Sequence, residues 1–426
     1  MRARSPRAAL ATVFAEGLLG RLTFGMVSFA LPLYAYHLGL SLAEIGVIVS
    51  TRAAFVLPLK PVAGWLVDRT SVRAVYIGGI VMRCLSAVVL LLAGDFVSLC
   101  LVRAMQGASA AGRDVASLSV IAREAEERVG THYGLYTTVR QVGNVGGAGL
   151  AGMLLAVPGG GFQLVFLVVA AMSVLPLAAA SFALREDPAA EPAPVERPPA
   201  EAPAPASPQP RIARVRDGLI ATYSGLGGAA SVGMLVAASA YMVHGIFPVL
   251  ATTYGGLSNA QAGLIYAIST AVFCVAGPAF GWLADHSGRT IALSLRSICN
   301  VASSLLYIAF PSFAGLTVAR CVDDGGKAAF RPAWASYITE LAAEDRERQG
   351  RRLGALDTAT SAGELLGPIL AGILWQTGGI LALFGVRIVI AIVAEVAAVR
   401  VFHERPARAP ATRPGARARA ATEPLA

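Results

Sequence analysis

Five charged residues, Arg320, Asp323, Asp324, Lys327 and Arg331, fall three or four positions apart inside one apolar stretch, so on a helix they form a single stripe. Such a stripe can neutralise itself along the helix, or it can offer a proton or cation site. Other apolar stretches carry Arg21, Arg52 and Arg83 near their centres, with Glu16, Arg140 and Glu364 somewhat shallower. Ionisable groups in a medium that solvates them poorly are expensive, so each is a functional candidate by default. Glu16 and Arg21 are five residues apart, about 140° around a helix, and cannot face one direction. One of them should face a cavity and the other a neighbouring helix. The density of guanidinium groups, whose planar forks match carboxylate and phosphate oxygens, leaves an anionic ligand open. Arg296 and Arg387 lie within two turns of a segment end, where a long side chain can snorkel to water. Lys60, Arg113, Asp114 and Glu395 are also near segment ends and read as structural.

The elements that carry these residues are written in the composition. Of 426 residues, 55% are hydrophobic and 14% charged, against about 25% charged in soluble domains. Twelve apolar segments are predicted, at 9–36, 44–63, 74–94, 96–122, 133–157 and 162–184, then 226–253, 261–280, 290–310, 313–339, 353–375 and 380–400. Each is long enough for a helix to cross a bilayer. The first follows Arg2–Arg7 but is too long for a signal peptide, contains Glu16 and Arg21, and lacks a small-residue cleavage site. The expected division is therefore a six-helix unit at 1–184, a Pro/Ala-rich linker at 185–217, a second six-helix unit at 218–400 and an Arg-rich tail at 401–426. The linker composition cannot bury a core and favours extended conformations.

The net charge of +9 is nearly all arginine, gathered in alternate loops rather than on an aromatic-basic face, so nucleic-acid binding is not expected. With the N-terminus in the cytoplasm, the cytoplasmic side receives Arg346, Arg348, Arg351 and Arg352 in one loop, and Arg405, Arg408, Arg413, Arg417 and Arg419 in the tail. The opposite loops receive none. The positive-inside rule then places both termini and the linker in the cytoplasm, with the tail within reach of anionic lipid. The cysteines (Cys84, Cys100, Cys274, Cys299, Cys321) show no metal-ligand spacing and read as apolar fillers.

The two halves repeat. A shift of 217 positions carries Gly39, Ser41, Ala43, Gly46 and Ile48 onto Gly256, Ser258, Ala260, Gly263 and Ile265. It also carries Pro61, Gly64, Trp65, Leu66 and Asp68 onto Pro278, Gly281, Trp282, Leu283 and Asp285, and Arg103 onto Arg320. One offset held across several helices marks a duplication.

Two stretches, Gly64-Trp65-Leu66-Val67-Asp68-Arg69-Thr70-Ser71-Val72-Arg73 and Gly281-Trp282-Leu283-Ala284-Asp285-His286-Ser287-Gly288-Arg289, resemble the G-x-L-x-D-R-x-G-R signature of the major facilitator superfamily. With twelve spans and a central linker, the resemblance covers the whole chain. It implies an all-α membrane protein of two pseudo-symmetric six-helix bundles, with helices 1, 4, 7 and 10 around a central cavity. In that family the loop latches the bundles in the outward-open state. A gating role is thereby implied for Gly64, Asp68, Arg69 and Arg73, and for Gly281, Asp285, Gly288 and Arg289. Locally, a glycine there would permit a tight helix exit. Ser71 and His286 depart from the signature and imply weaker latches. Arg103-Ala104-Met105-Gln106-Gly107 is similar to the family's R-x-x-Q-G pattern, linked to proton coupling, although Arg103 could instead bond backbone carbonyls. The glycine-rich antiporter motif is only partial at Gly143, Gly146, Gly147 and Gly149, and is better matched by Gly363, Gly367-Pro368 and Gly372. Small residues at such spacing also suffice to let helices approach closely.

The expected protein is a secondary transporter of a small molecule working by alternating access in a bacterial inner membrane. Proton coupling is favoured because no G-x-x-x-x-G-K-[ST] motif exists, and export stands slightly ahead of uptake. The preferred substrate and proton-pathway residues are Arg21, Arg52, Arg103, Arg140, Arg320, Asp323, Asp324 and Glu364. No cofactor, metal or catalytic constellation is expected, and the carrier should act as a monomer. Alternatives are an anion or iron-related uptake carrier, since Phe330–Trp334 and the Gly363-Glu364 region are similar to facilitator-family proteins of magnetosome membranes, or a flux-free sensor or assembly protein.

Overall fold

The computed structural model describes residues 6–124, 129–183, 225–287, 289–345 and 348–403. The linker at 185–217, Gly288 and the tail beyond His403 lie outside the described residues. The described residues form twelve long helices in the predicted order. The first six are α1 (Pro6–His37), α2 (Leu42–Arg69), α3 (Val72–Leu92), α4 (Phe96–Glu124), α5 (Val129–Leu155) and α6 (Gly161–Ala183). The second set begins with α7 (Gly227–His244), followed by α8 (Asn259–Ser287), α9 (Arg289–Ala309) and α10 (Phe313–Ala343). It ends with α11 (349–378) and α12 (380–403), one rod interrupted at Gly379, whose φ of 70° suits glycine. Among the described residues there is no strand.

The duplication is visible at single residues. Gly39 and Gly256, equivalent under the 217-residue shift, both adopt positive φ, 81° and 62°. The following Ser41 caps α2 reciprocally with Glu44, and Ser258 caps α8 in the same way with Gln261 (3.0 and 3.2 Å). Asp95 and Ser312, again equivalent, cap α4 and α10 by accepting from the Ser98 and Gly315 amides.

Helix packing repeats as well. In the first bundle α1 packs on α5, and α2 and α3 on α4; in the second α7 packs on α11, and α8 and α9 on α10. Gly143 and Gly147 of α5 sit against the backbone of α1, and Gly363 and Gly367 of α11 against that of α7. The glycine-rich stretches are therefore contact surfaces where two backbones come together. The bundles meet through α2 on α11 and α5 on α8. Gly46 lies against Pro368, Gly372 against Leu42, and Gly152 against Gly263, all at the end of the molecule where α1 finishes and α2 begins. The Ala43 amide donates to Gln376 there (3.0 Å).

Large apolar side chains such as Leu85, Val88, Leu92, Val97, Leu101, Leu167, Val275 and Val389 cover the outer surface. That is the inverse of a soluble protein and suits contact with lipid. By length and apolarity six described segments qualify as membrane-crossing without further argument: Leu10–His37, Leu42–Val67, Val72–Leu92, Gly161–Ala178, Gly227–His244 and the double-length Arg351–Val401. Helices α4 and α10, which carry buried charges described next, are not among these six.

Beyond α7 the chain turns at Gly245-Ile246, makes a short helical turn at Phe247–Val249 and a π-turn at Leu250–Tyr254. Pro248 has no amide to give to the carbonyl four residues back, which is that of His244. The Tyr266 hydroxyl of α8 donates to this freed carbonyl instead (2.8 Å). The break thereby places the His244 ring at the inner edge of the second bundle.

Candidate functional site

The charges of the first bundle sort into a knot and a remainder. Glu16, 2% exposed, projects from α1 towards α3 and α4. It accepts from Arg83 (2.8 Å), Arg113 (2.7 Å) and the Tyr76 hydroxyl (3.0 Å). Arg113 also donates to Ser109, whose hydroxyl is bound to the Gly79 carbonyl (3.1 and 2.6 Å). A carboxylate with three donors ties three helices together. Asp114 takes Arg140 of α5 (2.7 Å), and that guanidinium also lies over Tyr136. Arg113 and Asp114, expected near a segment end as structural residues, are tied to Glu16 of α1 and Arg140 of α5. Lys60 pairs with Asp357 across the bundle boundary in an exposed contact of 3.3 Å.

What remains is Arg21, Arg52 and Arg103, none of which makes an ion pair among the described residues. Arg21 and Arg52 both sit over the ring of Phe24, at 5.2 and 4.6 Å from its centroid, and line one small pocket with Arg83, Gln106 and Arg113. The two members of the Glu16/Arg21 pair do face different ways, Glu16 into helices and Arg21 into this pocket. Arg103 is 3% exposed and bonds Gln106 on the next turn (3.2 Å).

The second bundle is organised by Asp323, which is fully buried. One carboxylate oxygen takes Arg296 of α9 (2.8 Å) and Arg387 of α12 (2.6 Å), and the other takes Lys327 (2.8 Å). Arg387 continues to the Ser239 carbonyl of α7 (2.9 Å) and to Ser304 of α9 (2.8 Å). Asn300 bridges back to Ser239 (2.7 Å). The expected snorkelling of Arg296 and Arg387 is therefore not what occurs: both point inward, since a carboxylate buried among apolar helices recruits the cations within reach. The α10 stripe is partly self-neutralised, Lys327 reaching both aspartates and Arg320 reaching Asp324 (3.4 Å). Arg320 also donates to Nδ1 of His244 (2.9 Å) and lies over the rings of Phe247 and Tyr266, at 4.7 and 4.6 Å. An imidazole that accepts at Nδ1 carries its proton on Nε2. His244 was not among the residues singled out from sequence. Its only signal there is a lone histidine four residues before a proline in an apolar segment.

Between the bundles lies a partly open cavity of roughly 180 Å³. Asn144 of α5, Tyr241 and His244 of α7, Phe273 of α8, Lys327, Arg331 and Trp334 of α10 and Glu364 of α11 are in its wall, as are Arg320 and Asp324. Asp323 lies behind that wall. Glu364 stands beside the Tyr241 hydroxyl, makes no ion pair among the described residues and is within electrostatic range of Arg52 across the boundary. The structure thus brings Arg320, Asp324 and Glu364 to one cavity, with Arg52 nearby, and sets Arg103, Arg140 and Asp323 into the bundles.

Of the signature residues, Gly64 lies inside α2 with open space beside it, so it does not make the tight exit expected; the turn falls at Thr70-Ser71. Arg69 lies over Trp65 at 4.5 Å and Arg73 is in the first turn of α3. At Asp68, Gly281, Asp285 and Arg289 only the helical backbone is described.

Two repeated helical bundles enclosing a charged, partly aromatic cavity, with an apolar exterior, define a polytopic membrane carrier rather than an enzyme. The family model for the Major Facilitator Superfamily matches residues 14–234 and again 229–425, and the chain belongs to that superfamily. Transporters of that superfamily bind small-molecule substrates and are multi-pass membrane proteins. Among curated relatives, the multidrug resistance protein MdtG of Enterobacter lignolyticus (strain SCF1) is 32% identical over 127 residues, 30% of this chain and 29% of that protein. The putative multidrug resistance protein MdtD of Escherichia coli (strain SMS-3-5 / SECEC) is 31% identical over 130 residues, 30% of this chain and 28% of that protein. The match thus spans under a third of the length of either. Among solved structures, a bacterial homologue of the human lysosomal transporter Spinster, inward-facing and occupied, superposes with a TM-score of 0.74 at 15% identity, covering 96% of this chain and all of that one. The nucleoside transporter NupG superposes with a TM-score of 0.70 at 14% identity, over 94% of this chain and all of that one. At such identity the likeness concerns the fold.

Proposed function

We propose that this chain is a proton-coupled secondary exporter of the bacterial inner membrane, with both termini cytoplasmic and the two bundles rocking about the central cavity. The observation that carries the reading is Glu364. It is a cavity carboxylate without an ion pair among the described residues, whereas Glu16, Asp114, Asp323 and Asp324 are all held by cations. A carboxyl free of a fixed counter-charge can gain and lose a proton without breaking a helix contact. Its neighbour Arg52 belongs to the other bundle, so rocking changes the field that Glu364 experiences. With the arginine-rich loops in the cytoplasm, the closed end at Gly46, Pro368 and Gly372 is extracytoplasmic and the cavity is accessible from inside, where an exporter loads. The multidrug-resistance names of the partial relatives support export.

The test is proton movement in proteoliposomes carrying an internal pH dye, challenged with cationic drugs, sugars, organic anions and iron chelates. A compound-specific pH change that disappears in Glu364→Gln is the expected result. Silence across the panel from a folded preparation would instead favour uncoupled transport or a sensor without flux.

A further inference from the structure

The arginines of the first bundle outnumber its buried carboxylates, and the imbalance is local. Glu16 satisfies Arg83 and Arg113, and Asp114 satisfies Arg140. Arg21 of α1 and Arg52 of α2 both stack on Phe24 and make no ion pair among the described residues; Asp114, within electrostatic range of both, is bound to Arg140. The Nε of Arg52 is buried and makes no hydrogen bond. Both arginine side chains are half-buried, and a guanidinium partly withdrawn from water and lacking a fixed anion is costly in a membrane interior, where two adjacent ones also repel each other. Stacking on one phenyl ring fixes the planes of both forks but supplies no negative charge. The missing component is an anion.

Resting on the transport reading above, we propose that Arg21 and Arg52 bind the oxyanion group of the substrate, and that the substrate is an organic anion with an apolar, aromatic-sized body. The second half of the proposal follows from the opposite wall. Arg52, which with Arg21 lines the small pocket inside the first bundle, is within electrostatic range of Tyr241 and Glu364 in the wall of the central cavity. That cavity offers Tyr241, Tyr266, Phe273 and a stacked Phe330–Trp334 pair (5.4 Å between centroids) to a hydrophobic body. The remaining lining charge is also mainly positive: Arg331, held over Phe273 at 5.4 Å, has no ion pair among the described residues. The exceptions are Asp324, held by Lys327 and Arg320, and Glu364, whose negative form an anion in the clamp opposes. Anion occupancy and protonation of Glu364 therefore favour each other, a coupling that needs no direct contact between them.

The experiment is calorimetric binding to the purified full chain in lipid nanodiscs, using naphthalene-2-sulfonate, with neutral 2-naphthol and cationic 2-naphthylmethylammonium as shape-matched controls. The sulfonate is expected to bind in preference to both. Arg21→Gln and Arg52→Gln should each weaken it roughly ten- to hundred-fold, while Arg52→Lys, which keeps the charge and loses the fork, should fall between. Equal binding of the three compounds, preference for the ammonium, or no binding of any would overturn the proposal, and these outcomes need only the native chain should a variant misfold. Loss of the sulfonate preference with Glu364-dependent proton movement intact rejects the anion site alone. Sulfonate preference with no flux of any compound rejects the transport reading alone.

Discussion

At the scale of single residues, the interior charges divide into those that hold helices together and those free to respond. Asp323 and Glu16 each accept from cations on two or more other helices. Removing one partner of a buried ion pair leaves an uncompensated charge and costs about 3–5 kcal/mol. Asp323→Asn and Glu16→Gln are accordingly expected to lower the unfolding midpoint strongly, followed by tryptophan fluorescence in detergent. Glu364→Gln removes a charge with no fixed partner and is expected to leave that midpoint unchanged or raised. If Glu364→Gln destabilised the protein as much as Asp323→Asn, its assignment as the responsive carboxyl would be wrong. The same reasoning changes how Asp323 is read: a loss of transport in its variants reports folding before it reports proton chemistry.

At the scale of helices, the glycines of α5 distinguish contact from decoration. Gly147 faces the α1 backbone at Leu22, where an added methyl has no room, while its neighbour Gly146 faces open space. Overpacking a helix contact typically costs 1–3 kcal/mol, and replacing an exposed helical glycine by alanine is favourable by up to about 1 kcal/mol. Gly147→Ala should therefore reduce folded yield and unfolding midpoint, and Gly146→Ala should preserve or improve both. Equal behaviour of the two would show that α1 and α5 do not pack as described. The partial antiporter-like pattern needs no transport role to explain it, since Gly363 and Gly367 do the same on α7.

At the scale of the whole molecule, the bundles touch along α2–α11 and α5–α8, with the tight glycine contacts at one end. Alternating access requires that these contacts part. Ala43 and Gln376 are joined by a hydrogen bond there. Linking Ala43→Cys to Gln376→Cys with a short cleavable bis-maleimide should stop substrate flux, and cleaving the linker should restore it. Undiminished flux through fully cross-linked protein would exclude rocking about this end.

Much of this architecture is local and therefore readable from the chain. Apolar length marks each helix, Ser41, Asp95, Ser258 and Ser312 mark helix starts, and positive-φ glycines at Gly39 and Gly256 mark equivalent turns. Each signal depends on residues a few positions apart, so duplication, helix order and membrane class follow from sequence alone. The pattern of the site is different. Arg296, Asn300, Ser303 and Ser304 form a polar stripe on α9 that was present in the sequence, yet distance from the helix end suggested snorkelling, and nothing local identified Asp323 as the acceptor 27 residues away. Glu16 finds its partners 67 and 97 residues along the chain, and Arg387 reaches Ser239 across 148. The sequence by itself determined which residues carry charge in the membrane and on which helices they ride. Only the tertiary structure decided which charges cancel, leaving Arg21 and Arg52 at a small pocket of the first bundle and Glu364 at the central cavity, because in a low-dielectric interior a charge pairs with whatever lies nearest in space, and that proximity is set by how the helices rotate and pack.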